Sequence, residues 1–136
     1  MSIVSEIIRV EDDNTLSFGN HEAKEKQKLE GFEFNSDTYR IKTFSEITRI
    51  KKNGNMLIET IPGATVHNFT ESENTVTFYI EGSGNTSITA GLERDAAYRI
   101  YVNGTNLGSM KSNPSGKINF SLDLANSKQD ILIEKL

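Results

Sequence analysis

The chain has 136 residues, contains no cysteine and carries 15 basic against 19 acidic side chains, a formal net charge of −4. The absence of cysteine excludes disulfide frameworks, thiol nucleophiles and cysteine-ligated zinc sites. The acidic balance argues against the broad basic face of a nucleic-acid-binding protein, so we expect no nucleic-acid partner.

Alternating apolar and polar residues predict short β-strands through the first half of the chain. Residues 3–11, rich in β-branched side chains, are expected to form the first strand, and residues 16–18 the second. Asn35-Ser36-Asp37 turns the chain between two alternating runs, and Asn53-Gly54 is a pair that tolerates positive φ in a hairpin turn. Ile61-Pro62-Gly63 fits a type II turn, since proline fixes φ and glycine accepts the positive φ that follows.

Residues 22–30 interrupt this pattern with good helix formers, flanked by Asn20 and Gly31 as candidate caps. A helix here would have only Ala23 and Leu29 to bury. An edge strand with its lysines turned to water would instead protect a sheet against edge-to-edge aggregation. The sequence slightly favours the charged edge strand and leaves the helix as the alternative.

The second half alternates more regularly. Apolar residues recur at every second position from Val76 to Ile80 and again from Ile118 to Leu122. Between these runs, Asn103-Gly104 predicts a second Asn-Gly hairpin. About eleven to thirteen short strands result, with turn signals at the spacing typical of an antiparallel β-sandwich of jelly-roll or fibronectin-III-like type.

The same patterns predict the domain organisation and the location. No linker is evident, so residues 1–136 are expected to form one β-sandwich domain, with residues 1–70 and 71–136 as conceivable lobes. No basic leader with a long apolar run is visible, and no segment approaches the ~20 apolar residues of a membrane span. We therefore expect a cytoplasmic protein with no membrane partner. A secreted protein whose leader has been removed, or a module excised from a longer chain, stays open as the alternative.

The search for catalytic and metal-binding motifs is mostly negative. His21 and His67 are the only imidazoles and lack partners at metal-binding spacing, although a two-histidine site across the fold stays open. Ser83 lies between two glycines but lacks the strand-to-helix elbow of a nucleophilic serine. We therefore predict no metal, no cofactor and no enzymatic activity.

Carboxylates near turns offer the remaining route to catalysis. A small glycan hydrolase would need two of them facing one cleft, whereas solvated turn residues are the favoured interpretation. The candidates are Asp12, Asp13, Glu71, Glu73, Asp123 and Asp130.

Two tyrosines form the sharper candidate site. If Val76 and Phe78 face the core, Tyr79 points to the opposite face, and Tyr101 does so in its own strand. Tyrosine suits both protein interfaces and sugar rings. The favoured interpretation is nevertheless that the first half of the chain covers this face. The polar neighbours expected around the tyrosines are Thr75, Thr77, Arg99, Ser87 and Thr89.

A family resemblance is carried by YRIYVNG at residues 98–104, LG at 107–108 and SGKINFSL at 115–122. Residues 75–136 resemble the closing hairpins of small fibronectin-III-like or jelly-roll modules that accompany bacterial polysaccharide-acting proteins. The resemblance implies a structural or binding accessory module for which a glycan is a candidate ligand. The first half shows no such resemblance.

Together these observations predict a non-enzymatic β-sandwich that acts through a sheet face, either by contacting another protein or by self-association into a homo-oligomer. The candidate binding residues are Tyr79, Tyr101, Arg99 and Thr77. The alternative is a carbohydrate-binding accessory module, and a small carboxylate-based glycan hydrolase is the least favoured hypothesis.

Overall fold

A computed structural model describes residues 3–136 and contains thirteen β-strands and no helix within that range. The strands are β1 (Ile8–Val10), β2 (Leu16–Phe18), β3 (Gln27–Phe34), β4 (Asp37–Phe44), β5 (Ile47–Lys52), β6 (Asn55–Ile61), β7 (Ala64–Glu71), β8 (Thr75–Gly82), β9 (Asn85–Gly91), β10 (Ala97–Val102), β11 (Thr105–Lys111), β12 (Lys117–Asp123) and β13 (Gln129–Lys135).

The strands form two antiparallel sheets. The seven-stranded sheet has the order β1-β2-β7-β8-β13-β10-β11, and the six-stranded sheet has the order β12-β9-β6-β5-β4-β3. The predicted antiparallel β-sandwich is therefore confirmed, and the number of strands lies within the predicted range. Both sheets contain strands from residues 3–70 and from residues 71–136.

The last strand in the chain does not lie at an edge. β13 pairs with β8 on one side and with β10 on the other, near the middle of the seven-stranded sheet. The β10–β11 hairpin joins the rest of its sheet only through β13.

The core lies between the inner faces of the two sheets. Every second residue of the central strands is buried there, as period-two alternation requires. Phe69 contacts both Phe18 and Phe78, with ring centroids 6.0 and 5.8 Å away. Such aromatic packing contributes about 0.5–1.5 kcal/mol per pair beyond the burial of apolar area.

Three tight hairpins follow the predicted turn chemistry. Asn35-Ser36, Asn53-Gly54 and Asn103-Gly104 all have positive φ at both central positions. This backbone is that of a type I′ turn, whose twist matches the flanking strands, and both Asn-Gly predictions are confirmed.

Three local expectations need correction. Residues 3–7 are not part of the first strand, which begins at Ile8; Val4 instead donates its N–H to the Gly19 carbonyl over 3.1 Å. The charged edge strand is correct only from Gln27 onwards, because residues 22–26 form turns and bends. The Ile61–Pro62 peptide bond is cis and Gly63 does not have positive φ, so the type II turn is wrong.

Candidate functional site

The structure places the four predicted binding residues on one face. Thr77 and Tyr79 belong to β8, Arg99 and Tyr101 to β10, and all four project from the outer face of the seven-stranded sheet. Tyr79 is 40% exposed, whereas the other three are half-buried.

Strand β13 connects these residues into rows across the sheet. Leu132 lies opposite Thr77 on one side and opposite Tyr101 on the other. Since neighbouring strands are about 4.8 Å apart, the backbones of Thr77 and Tyr101 are separated by roughly 10 Å. The row therefore combines an aliphatic side chain, a phenol and a hydroxyl, a composition suited to contact with another protein.

Charged groups flank this row. The ammonium nitrogen of Lys128 lies 5.2 Å from the centroid of the Tyr79 ring, a cation–π arrangement. Asp130 stands opposite Tyr79, and Glu134 stands opposite Arg99. A ligand stacking on Tyr79 would have to displace the Lys128 side chain.

Two expectations about this face are wrong. Ser87 and Thr89 lie in β9, which belongs to the six-stranded sheet, so they are not neighbours of the tyrosines. Within residues 3–136, no strand of the first half covers the face either. β7, β2 and β1 extend the same sheet beside it.

His67 lies in β7 directly opposite Tyr79, and His21, in the turn before β3, contacts β7 through Thr65. His21 Nδ1 is 2.7 Å from the hydroxyl of Thr65, and His67 Nε2 is 2.9 Å from a carboxylate oxygen of Glu81. Burial lowers the pKa of His21 below its ordinary value. In the part of the chain that the structure describes, no three histidine or acidic side chains are grouped to hold a metal ion.

Two of the six candidate carboxylates share one depression. Glu71 and Glu73 line a surface groove of about 260 Å³, together with Glu93. Glu71 accepts a hydrogen bond from Lys52 over 2.9 Å, and Lys135 binds Glu93 over the same distance. Glu71 and Glu93 are therefore each held in an ion pair with a lysine.

The other four carboxylates have local or surface positions. Asp13 accepts hydrogen bonds from both the N–H and the hydroxyl of Thr15, and Asp123 accepts one from the N–H of Ala125. Asp130 is exposed opposite Tyr79, and Asp12 is exposed in a turn. Asp13 and Asp123 thereby stabilise turns, in agreement with the favoured interpretation.

A second candidate site, absent from the sequence-based predictions, crosses the outer face of the six-stranded sheet. A groove of about 480 Å³ runs over β3, β4 and β5 and is lined mainly by charged side chains. Its five cations are Lys28, Arg40, Lys42, Arg49 and Lys51. A strongly basic surface therefore exists on a chain whose net charge is acidic.

The strand register places these cations side by side. Lys42 of β4 lies opposite Lys28 of β3 and also opposite Arg49 of β5, while Arg40 lies opposite Lys51. Three directly opposed pairs of like charge thus occur on one sheet face. Such pairs destabilise a sheet.

Only part of this charge is neutralised. Arg49 donates to a carboxylate oxygen of Glu59 over 2.6 Å, and Arg40 to one of Glu30 over 3.0 Å. Among residues 3–136, the three lysines of the groove form no ion pair.

The pKa of Lys42 reflects this environment. Partial burial lowers it from its ordinary value, and the charges of Arg49, Lys26 and Lys28 lower it further. Glu59 opposes these effects, and on balance the surroundings of Lys42 disfavour its protonated form.

Comparisons with protein-family models, curated proteins and solved structures found no match to this chain. Over the described residues there is also no helix long and apolar enough to cross a membrane.

Proposed function

We propose that this chain is a non-enzymatic binding protein that self-associates through the outer face of β8, β13 and β10 and through the adjoining edge strand β11. The main support is that the tyrosine face continues without a break into the edge strand β11. The Thr77–Leu132–Tyr101 row leads through β10 directly to an edge of the sheet.

The edge at β11 carries little charge, and a β-bulge at Leu107-Gly108 divides it into two short segments that could pair. Its strand carries one charge, Lys111 at its end, and Leu107 in its middle is 54% exposed. Exposed edge strands offer unpaired N–H and C=O groups to another strand, and proteins usually block them with charge. The opposite edge of the sheet, β1, is only three residues long and offers far less backbone to a partner.

The chemistry of the face supports a protein partner. Tyr79 and Tyr101 supply large side chains of few rotatable bonds, and tyrosine is enriched in protein interfaces for this reason. Thr77 and Arg99 add hydrogen-bonding groups around them. A second copy brings a matching edge strand, so an antiparallel β11–β11 contact about a two-fold axis would be self-complementary and would join the two tyrosine faces side by side in one continuous surface.

Light scattering over a range of protein concentrations tests this proposal. The molar mass should rise toward that of a dimer in the unaltered protein and remain that of a monomer in Leu107→Lys, because a lysine in the edge strand blocks pairing. Val10→Lys, at the 43% exposed Val10 of the opposite edge, is the matched control and should behave like the unaltered protein. A protein that stays monomeric at every concentration would exclude self-association.

Carbohydrate binding is the second candidate. It is supported by the exposed ring of Tyr79 beside Asp130, since sugars stack on aromatic rings and hydrogen-bond to carboxylates through their hydroxyls. The resemblance of residues 75–136 to accessory modules of polysaccharide-acting proteins points the same way. A glycan array should then give hits that Tyr79→Ala removes, and an array without hits would rule this candidate out.

A further inference from the structure

We propose that the basic groove over β3, β4 and β5 binds a compact ligand that carries at least two anionic groups, such as phosphates, sulfates or carboxylates. This site lies on the six-stranded sheet and is independent of the tyrosine face. Its elements are the cross-strand array of Lys28, Lys42 and Arg49 and the neighbouring pair of Arg40 and Lys51.

Repulsion among the cations of the groove is the first reason to expect a bound anion. Like charges directly opposite one another destabilise a sheet, and the groove contains three such contacts, two in the array and one in the neighbouring pair, with only two acidic partners nearby. Lys42 takes part in two of these contacts and makes no ion pair within residues 3–136. An arrangement that costs stability in the free protein is explained if a bound anion offsets the repulsion.

The spacing of the cations and the size of the groove suit a small ligand with several anionic groups. Cationic residues in one row are about 5 Å apart across the strands, and the two rows are about 7 Å apart along them. A groove of about 480 Å³ also lies within the usual range of small-molecule sites. Anionic groups at similar separations on one molecule would each find a lysine or an arginine, and the guanidinium groups can bind them through two hydrogen bonds.

The composition of the groove lining and the net charge of the chain favour a compact ligand over a polymer. The lining of the groove contains no aromatic side chain, whereas proteins that bind single-stranded nucleic acid stack bases on aromatic rings. The chain as a whole carries a charge of −4, so a long polyanion extending beyond the groove would meet an acidic surface.

Titration calorimetry at low salt provides the test, with inositol hexakisphosphate and tripolyphosphate as compact polyanions. The variant Lys42→Gln/Lys51→Gln should weaken their binding about tenfold or more, because it removes charge-assisted contacts. Arg94→Gln, in the exposed loop between β9 and β10, removes a positive charge outside the groove and should leave binding within about twofold. Added salt should weaken binding in the unaltered protein.

Thermal unfolding separates a binding role from a structural one. Without ligand, Lys42→Gln should melt at the same temperature as the unaltered protein or higher, because it relieves repulsion from Lys28 and Arg49. A lower melting temperature would show that Lys42 serves folding and would overturn the proposal.

Three binding results would also overturn it. They are an absence of binding by either compact polyanion, equal weakening by the Arg94→Gln control, and tighter binding of poly(dT) or dextran sulfate than of the compact probes. The last result would assign the groove to a polymeric partner instead. Orthophosphate serves as the probe with a single anionic centre and should bind more weakly than tripolyphosphate, since it cannot reach two cationic positions at once.

Discussion

The hydroxyl groups of Thr43 and Thr48 lie 2.7 Å apart inside the sandwich, on neighbouring strands of the six-stranded sheet. Thr48 also donates to the carbonyl of Ala64 over 2.8 Å, so the proton between the two threonines belongs to Thr43. The backbone N–H of Asn20 donates to Thr43 over 2.9 Å. Because Ala64 begins β7, this buried chain of hydrogen bonds connects the two sheets.

Replacing Thr48 with valine should destabilise the protein by about 1–3 kcal/mol, because the hydrogen-bonding groups of Thr43 and Ala64 would remain buried without a partner. The matched control is Thr60→Val. Thr60 is equally buried and lies opposite Thr48, yet its hydroxyl has no hydrogen-bond partner among the described residues. Urea titration should show Thr60→Val to be neutral or stabilising, and equal losses for the two variants would contradict the assigned hydrogen bonds.

Phe120→Ala tests the packing of edge strand β12 against the core. Phe120 is only 8% exposed and lies in the core beside Ile118. Its loss should cost about 3 kcal/mol, the lower end for a buried phenylalanine, since an edge position can partly relax. Leu107→Ala, at an exposed position, should change the free energy of unfolding by less than about 0.5 kcal/mol. A small effect of Phe120→Ala in the same titration would mean that β12 packs differently.

Gly91→Ala tests a close approach between two strands. A Cβ atom at Gly91 would collide with the backbone carbonyl oxygen of Met56, which cannot move without disturbing the sheet. Gly84 has open space around the same atom and does not require positive φ, so Gly84→Ala should be tolerated. Melting curves should show a large loss for Gly91→Ala alone, and a similar melting temperature for both variants would argue against the close contact between β9 and β6.

His21 should make stability depend on pH. Burial, opposed by Glu22 and Glu81 and assisted by His67, lowers its pKa below the ordinary 6.5. The unfolded chain therefore takes up the proton first as pH falls. The stabilising contribution of neutral His21 is complete above about pH 6.5 and is lost as pH falls through that value toward the lower pKa of the folded state.

Comparison with His21→Asn isolates this contribution. An asparagine oxygen can still accept from the Thr65 hydroxyl but does not titrate. Between about pH 7.5 and about pH 5.5, the unaltered protein should lose more free energy of unfolding in urea than the variant does. Parallel losses would assign the pH dependence to other groups.

Local sequence patterns predicted the strands and turns better than the surfaces. Asn53-Gly54 and Asn103-Gly104 identify hairpins because few other pairs tolerate positive φ at both positions. Residues 3–7 were misassigned because β-branched composition cannot show that Val4 hydrogen-bonds to Gly19 rather than to a neighbouring strand. Ser87 and Thr89 were misplaced because alternation identifies the two faces of a strand but not the sheet that it joins.

The basic groove was missed for a related reason. The net charge averages over the whole surface, whereas the groove depends on which residues stand opposite one another. A signal was nevertheless present, because Lys42 and Arg49 flank a short turn and occupy the polar positions of alternating strands. Writing out the register of that hairpin would have paired them. Lys28 could not be placed in the same way, because a β-bulge between Leu29 and Phe32 shifts the register set by the Asn35-Ser36 turn; without the bulge, Leu29 would stand opposite Lys42.

Because β13 lies between β8 and β10, the seven-stranded sheet cannot be completed until β13 is in place. A growing chain that has made β10 and β11 cannot yet attach this hairpin to β8, because β13, the strand that joins them, is translated after all three. Until then, β8 and β10 each present a free edge to any other nascent chain nearby. Such distant pairings form slowly, so protection against misassembly on the ribosome depends on how soon residues 129–135 emerge.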